Sequence, residues 1–151
     1  MTFNLKPVNQ PEKELDFEQG KKSKVTVKKL NIAIIDDELH AIETLVYDLQ
    51  ETFREKINIQ FTATNPFEGV RQVRIHKPDI LFLDILMPGM SGFDLIRLID
   101  DLDTKVVFTT AFLDLQQQYE NSRAFACLLK PVLITDIERI FNRIYNLQPK
   151  L

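Results

Sequence analysis

Ile80-Leu81-Phe82-Leu83-Asp84-Ile85-Leu86-Met87-Pro88-Gly89 decides how this chain folds. Its first four residues are apolar without alternation, so the strand they form must be covered on both faces. The run closes on a carboxylate, Asp84, and Pro88 and Gly89 then turn the chain. A carboxylate at the end of a buried strand adds nothing to packing. An earlier run, Ile32-Ala33-Ile34-Ile35, closes in the same way on Asp36 and Asp37. If the two strands are parallel neighbours, all three acids meet at one edge of the sheet. Like charges that close repel strongly in a partly dry site. A divalent cation resolves that repulsion, so the residues point to a metal site.

The flanking sequence supplies the rest of the sheet. Ile42, Leu45, Val46, Leu49 and Phe53 share one helical face. Ile57, Ile59 and Phe61 alternate with Asn58 and Gln60, which predicts a half-buried strand at a sheet edge. Phe67, Val70 and Val73 give a weaker helical face that ends before Pro78. Ser91 and Asp94 have the spacing of a capping box, with Leu95, Ile96 and Ile99 as the buried face behind it. Val106-Val107-Phe108 is a third buried strand, and Leu113 to Ser122 a polar helix. Ala126 to Leu129 is the last strand. Thr135 and Glu138 suggest a second capping box, for a helix with Ile137, Ile140, Phe141 and Ile144 inside. Five βα units in succession make a doubly wound α/β domain around a parallel sheet. Ligands of such sheets bind outside the carboxyl ends of the strands, where Asp36, Asp37 and Asp84 fall.

The chain has 151 residues, enough for one domain with one core. A formal charge of −3 argues against nucleic-acid binding driven by overall charge. Cys127 is the only cysteine, so an intrachain disulfide or cysteine zinc cluster is excluded, and its apolar neighbours read it as a small buried hydrophobe. No apolar run approaches the ~20 residues that span a bilayer, and the N-terminus lacks a signal-peptide segment. A cytoplasmic protein is expected. Residues 1–30 read as an N-terminal extension, acidic and then lysine-rich, either a solvated tail or one added strand through Val25 and Val27; residues 31–151 form the domain.

Two further side chains end strands on the acidic side: Thr110, after Val106-Val107-Phe108-Thr109, and Lys130, after Cys127-Leu128-Leu129. The set is then three carboxylates, a hydroxyl and an ammonium. Asp84 is the candidate nucleophile, attacking phosphorus to form an acyl phosphate. Magnesium suits one or two carboxylates with phosphate oxygens and waters. Lys130 offers a point charge to a phosphoryl group and Thr110 a hydrogen-bond donor. Alone, each has a plainer reading: Asp36 or Asp37 as a helix cap, Thr110 as a strand residue, Lys130 as a surface lysine. Together, in order at successive strand ends, they favour the functional reading. His40 and His76 read as exposed histidines with no part in it.

Asp36-Asp37-Glu38, Asp84-Ile85-Leu86-Met87-Pro88 with Gly92, Thr110-Ala111 and Lys130-Pro131 closely resemble the receiver domain of two-component response regulators, from about Asn31 to Leu147. Phe108-Thr109-Thr110-Ala111-Phe112 and Ala124-Phe125-Ala126-Cys127-Leu128-Leu129-Lys130-Pro131 look most like receivers of the LytTR type, whose regulators usually carry a DNA-binding domain. The resemblance implies a flavodoxin-like (βα)5 fold with strand order 2-1-3-4-5. It implies that Asp84 takes a phosphoryl group from a sensor kinase histidine or a phosphotransfer protein. Asp37, Asp84 and the Leu86 backbone carbonyl would ligate Mg2+, with Asp36 acting through water. Lys130 would pair with Asp84 or its phosphate, Thr110 would swing toward the phosphoryl group, and the Lys130–Pro131 bond would be cis. A downstream protein target, and a homodimer through the last helix–strand–helix face, are the partners it suggests.

In this family an aromatic residue usually stands three before the lysine, where this chain has Cys127. Phosphorylation with a weakened or rerouted readout is expected, with Phe125 on the same strand face as a substitute. Leu86 and Phe112, two residues beyond Asp84 and Thr110, cannot orient a hydrolytic water, so slow self-dephosphorylation is expected. The reading is a stand-alone phosphoacceptor switch rather than a turnover enzyme. Its rivals are a receiver cut from a LytTR-type transcription regulator and a non-switching binding module of the same fold.

Overall fold

The computed structural model describes residues 27–148. The acidic and lysine-rich stretch before Val27, including the Val25 part of the expected added strand, lies outside the described residues. Val27 belongs to no strand and is exposed.

The elements follow in strict alternation: β1 (Leu30–Ile35), α1 (Leu39–Phe53), β2 (Ile57–Ala63), α2 (Pro66–His76), β3 (Ile80–Asp84), α3 (Gly92–Leu98), β4 (Lys105–Thr110), α4 (Leu113–Tyr119), β5 (Ala126–Leu129) and α5 (Ile134–Leu147). The five strands are all parallel, in the order β2-β1-β3-β4-β5. This is the expected doubly wound, flavodoxin-like arrangement. The chain reverses its direction of winding between β2 and β3, so the crevice at the carboxyl ends of β1 and β3 is the switch point.

Strand alternation sorts the core into two layers. Ile32, Ile34, Phe82, Val107 and Leu128 face α1 and α5, meeting Leu45, Leu49, Phe53, Ile140 and Phe141. Ala33, Ile35, Leu83, Phe108 and Cys127 face the other way, toward Val73 of α2, Leu95 of α3 and Ile99 just after it. The three central strands are apolar on both faces because both faces are covered.

Five local expectations need correction. Ile57, Ile59 and Phe61 do not share a face. The register runs Ile32↔Ile59 and then Ala33↔Phe61, so Gln60 is an extra residue, and its insertion sends Ile57 and Ile59 to one core layer and Phe61 to the other. Phe67 is 58% exposed rather than part of the α2 inner face. α2 instead meets the sheet through Gly69, where a Cβ would stand 2.5 Å from Ile35 Cδ1. The capping box at Thr135 and Glu138 is absent: α5 starts at Ile134, and the Leu133 carbonyl accepts from the amides of Asp136 and Ile137. Phe125 precedes β5 and packs on the α1/α5 layer, across the sheet from Cys127. The helix expected through Ser122 stops at Tyr119. The capping box at Ser91 and Asp94 is present in both directions.

Candidate functional site

Three strands deliver the acidic groups and the ammonium to one place. Asp36 and Asp84 continue the alternation of Ile34 and Phe82, and Lys130 that of Leu128, so these three side chains leave the strand ends on the α1/α5 side. Asp37 follows Asp36 and is exposed at the mouth. Backbone bonds hold the strand ends level: Ile85 N–H donates to Thr109 O, and Lys130 N–H to Thr110 O.

One oxygen from each of Asp36, Asp37 and Asp84 lies within 4.8 Å of the others. Asp36 and Asp84 are only 4% and 5% exposed. Lys130 Nζ reaches Asp36 Oδ2 at 2.7 Å and Asp84 Oδ1 at 3.5 Å. Asp36 also accepts from the Glu38 amide at 2.9 Å. Burial, then the neighbouring charge of Asp36, push the Asp84 carboxyl up to about 7; Lys130 opposes them, and Asp37 adds to the rise. Burial works against the Lys130 ammonium, but Asp36 and Asp84 outweigh it and hold its pKa above the usual lysine range. One ammonium thus faces three carboxylates, and the nucleophile candidate carries the resulting strain.

The turn after Asp84 is closely fitted. Gly89 has φ 84°, a conformation that favours glycine, and it places the chain beneath the Phe67 ring. Gly92 N–H donates to Ile85 O at 2.7 Å, and a Cβ on Gly92 would stand 2.6 Å from the Asp84 carbonyl oxygen. The glycine lets α3 start directly against Asp84.

A family model described as the response regulator receiver domain matches residues 32–144. The chain belongs to this family. A response regulatory protein of Vibrio cholerae, itself uncharacterised, is 38% identical over 119 residues, 78% of this chain and 48% of the relative. The transcriptional regulatory protein BtsR of Escherichia coli K12 is 35% identical over 116 residues, 76% of this chain and 48% of the relative. The receiver described here thus spans about half the length of the curated relatives it matches. Among solved structures, the receiver domain of NarL from Mycobacterium tuberculosis superposes with a TM-score of 0.71 at 23% identity, covering 80% of this chain and 99% of that one, which bears on the fold. A chain of the CheX–CheY–BeF3–Mg complex from Borrelia burgdorferi gives 0.66 at 25% identity, covering 77% of this chain and 89% of that one.

Receivers of this family bind Mg2+ at an acidic pocket, and the clustered oxygens of Asp36, Asp37 and Asp84 are a donor set of the right chemistry for a hard cation. Thr110 ends the strand next to Asp84, one residue beyond its register partner Thr109. Its side chain is buried, and its hydroxyl accepts from the Phe112 amide at 3.1 Å. Leu86 and Phe112 stand exposed on the loops after β3 and β4. The Lys130–Pro131 peptide is cis.

Cys127 is buried, and burial pushes its thiol up to about 11, which makes it an inert packing group. Phe125 is held away from it by Arg143 of α5, whose guanidinium lies 4.5 Å from the ring centroid. His40 is almost fully exposed, and His76 at the end of α2 lies beside Phe61; neither approaches the acids. Sequence reading missed Thr109, a second hydroxyl buried at the same strand end. Its only signal was the doubled threonine before Ala111.

Proposed function

We propose that this receiver is the phosphoacceptor of a two-component relay and that Asp84 carries the phosphoryl group. The observation that supports this is Asp84 held between two acids and one ammonium, with its carboxyl pushed up to about 7. An Asp84 carboxylate oxygen attacks phosphorus, the P–N bond to a donor imidazole breaks, and its electron pair leaves on nitrogen. Asp37, Asp84 and the Leu86 carbonyl would hold Mg2+, with Asp36 acting through water. When bound, the ion supplies the positive charge that keeps Asp84 ionised and offsets repulsion between acid and phosphate. Lys130 is already 3.5 Å from Asp84 and follows the charge onto the phosphoryl oxygens. Thr110 releases the Phe112 amide to donate to them.

The chain acts as a switch in the cytoplasm, not as a turnover enzyme; its donor is a sensor histidine kinase or phosphotransfer protein. The solved neighbour with BeF3 and Mg in its complex is consistent with that chemistry. A second reading has this receiver working as part of a longer LytTR-type transcription regulator. It is favoured by the matched relatives being about twice as long, one of them named as a transcriptional regulator.

The test is intact mass after acetyl phosphate, with and without Mg2+, on the native chain and Asp84→Asn. The expected result is one phosphoryl group that needs Mg2+ and is lost in the variant. No adduct under any condition, with no fluoroberyllate binding, would refute it.

A further inference from the structure

The amino ends of the strands, opposite the acid site, carry a groove of about 770 Å³ between the last turn of α5 and the turn before β4. Leu30, Leu102, Ile144 and Leu147 give it apolar walls, and Leu147 is 66% exposed. Asp79, Asp101 and Asp103 line it, with Lys77 and Lys105. Arg74 answers Asp101 at 3.0 Å, and Lys105 Nζ lies over the Phe125 ring, 5.9 Å from its centroid. Asp79 and Asp103 have no ion-pair partner among the described residues. α5 ends here with no basic residue in its last turn, so the negative end of that helix is unanswered too. Lys77 alone offsets these groups.

The chain that enters at this edge is rich in lysine. Leu30 opens β1 as part of the groove wall, and Lys21, Lys22, Lys24, Lys28 and Lys29 precede it. Lys29 already answers a helix end: its Nζ donates to the Arg54 carbonyl just past α1, at 3.0 Å. The end of α5 is its neighbour, since Tyr145 Oη donates to the Lys56 carbonyl at 3.2 Å. In an extended chain Lys22, Lys24 and Thr26 share one side, and Val25 and Val27 the other. That pattern matches a groove with carboxylates beside apolar walls. From Leu30 on β1 to Lys105 on β4 is two strand spacings, about 10 Å, and six residues span up to about 20 Å.

We propose that residues 21–26 bind back into this groove, Lys22 and Lys24 against Asp79, Asp103 and the end of α5, with Val25 against Leu147. The tether holds the segment at a millimolar effective concentration, so individually weak contacts suffice. The lysine run is then a strap across the amino edge of the sheet rather than a patch presented to an anionic partner. This does not depend on the phosphoacceptor reading.

The experiment uses the full chain with a nitroxide on Gln19→Cys, just outside the strap. Cys127 is buried, and the native chain given the same reagent is the control. In low salt the amide signals of Leu102, Asp103, Leu147 and Gln148 should lose more than half their intensity, while those of Leu39 and Phe112 at the opposite edge keep theirs. About 0.5 M NaCl, and separately Asp103→Asn, should each restore much of the loss. Equal loss at both edges, loss centred on β2 instead, or loss unchanged by either salt or Asp103→Asn would overturn the proposal. The same losses in unlabelled chain mixed with labelled chain would overturn it in favour of a second copy. Salt-sensitive binding to phosphatidylserine vesicles, with no loss at the groove, would overturn it in favour of lysines presented to an anionic surface.

Discussion

Lys130 Nζ stands 2.7 Å from Asp36 and 3.5 Å from Asp84, so the ammonium is nearer Asp36 than the proposed phosphoacceptor. It acts as a resident counter-ion. Lys130→Ala leaves three carboxylates with no cation among them. In EDTA the variant should lose about 2 kcal/mol in urea denaturation, less than a fully buried pair would lose because Lys130 is partly exposed. Its Mg2+ affinity should rise about tenfold, since the metal no longer competes with an ammonium. Unchanged Mg2+ binding would show that the lysine and the metal occupy separate fields.

Asp84 has a folded pKa of about 7, well above its ordinary value of 3.8. Between those values the folded chain keeps a proton that the unfolded chain releases. Metal-free stability therefore falls as pH rises from about 4 to about 7, and levels off above. Asp84→Asn should be more stable than the native chain at pH 8 in EDTA, with the difference shrinking toward pH 4. Thermal melts across that range check the sign, and added Mg2+ should narrow the gap at pH 8.

Gly92→Ala places a Cβ 2.6 Å from the Asp84 carbonyl oxygen and 3.0 Å from Ile85 Cα. Alanine is the better helix former, yet here it meets backbone that cannot step aside. A loss of about 2 kcal/mol is expected from urea denaturation, together with weaker Mg2+ binding as Asp84 is displaced. A neutral or stabilising outcome would mean that α3 can start farther from β3.

Leu86 and Phe112 are 48% and 55% exposed, on the loops that follow Asp84 and Thr110. Neither can accept or donate a hydrogen bond from its side chain. The acyl phosphate should be long-lived, and Leu86→Asn should shorten its half-life roughly tenfold by orienting water. Following loss of the phosphoryl mass with time measures this directly.

The acid site was legible because strand ends carry it. An apolar run that stops on Asp or Lys states both the strand and the edge it reaches, so Asp36, Asp84 and Lys130 could be placed without coordinates. Asp37 and Thr110 came from the same ends. What escaped notice depended on single-residue offsets. Gln60 shifts the β2 register, and no propensity distinguishes that residue from its neighbours. Phe125 lies one residue before β5, where alternation has not begun, and Arg143 and the α1/α5 layer take the ring. Thr135 has the right spacing for a cap, but the backbone leaving Pro131 becomes helical at Ile134. The groove at Asp79 and Asp103 needed elements far apart in sequence to be seen together.

The extra residue at Gln60 has a further consequence outside the core. β2 is seven residues long and forms one outer margin of the sheet, while β5, at the other margin, has four. A long straight margin invites a strand from another molecule to add to it. An incoming strand at β2 would need its own matching kink opposite Gln60, and one at β5 would find little to pair with. The domain thereby resists growing into sheets of many copies, by irregularity on one side and brevity on the other.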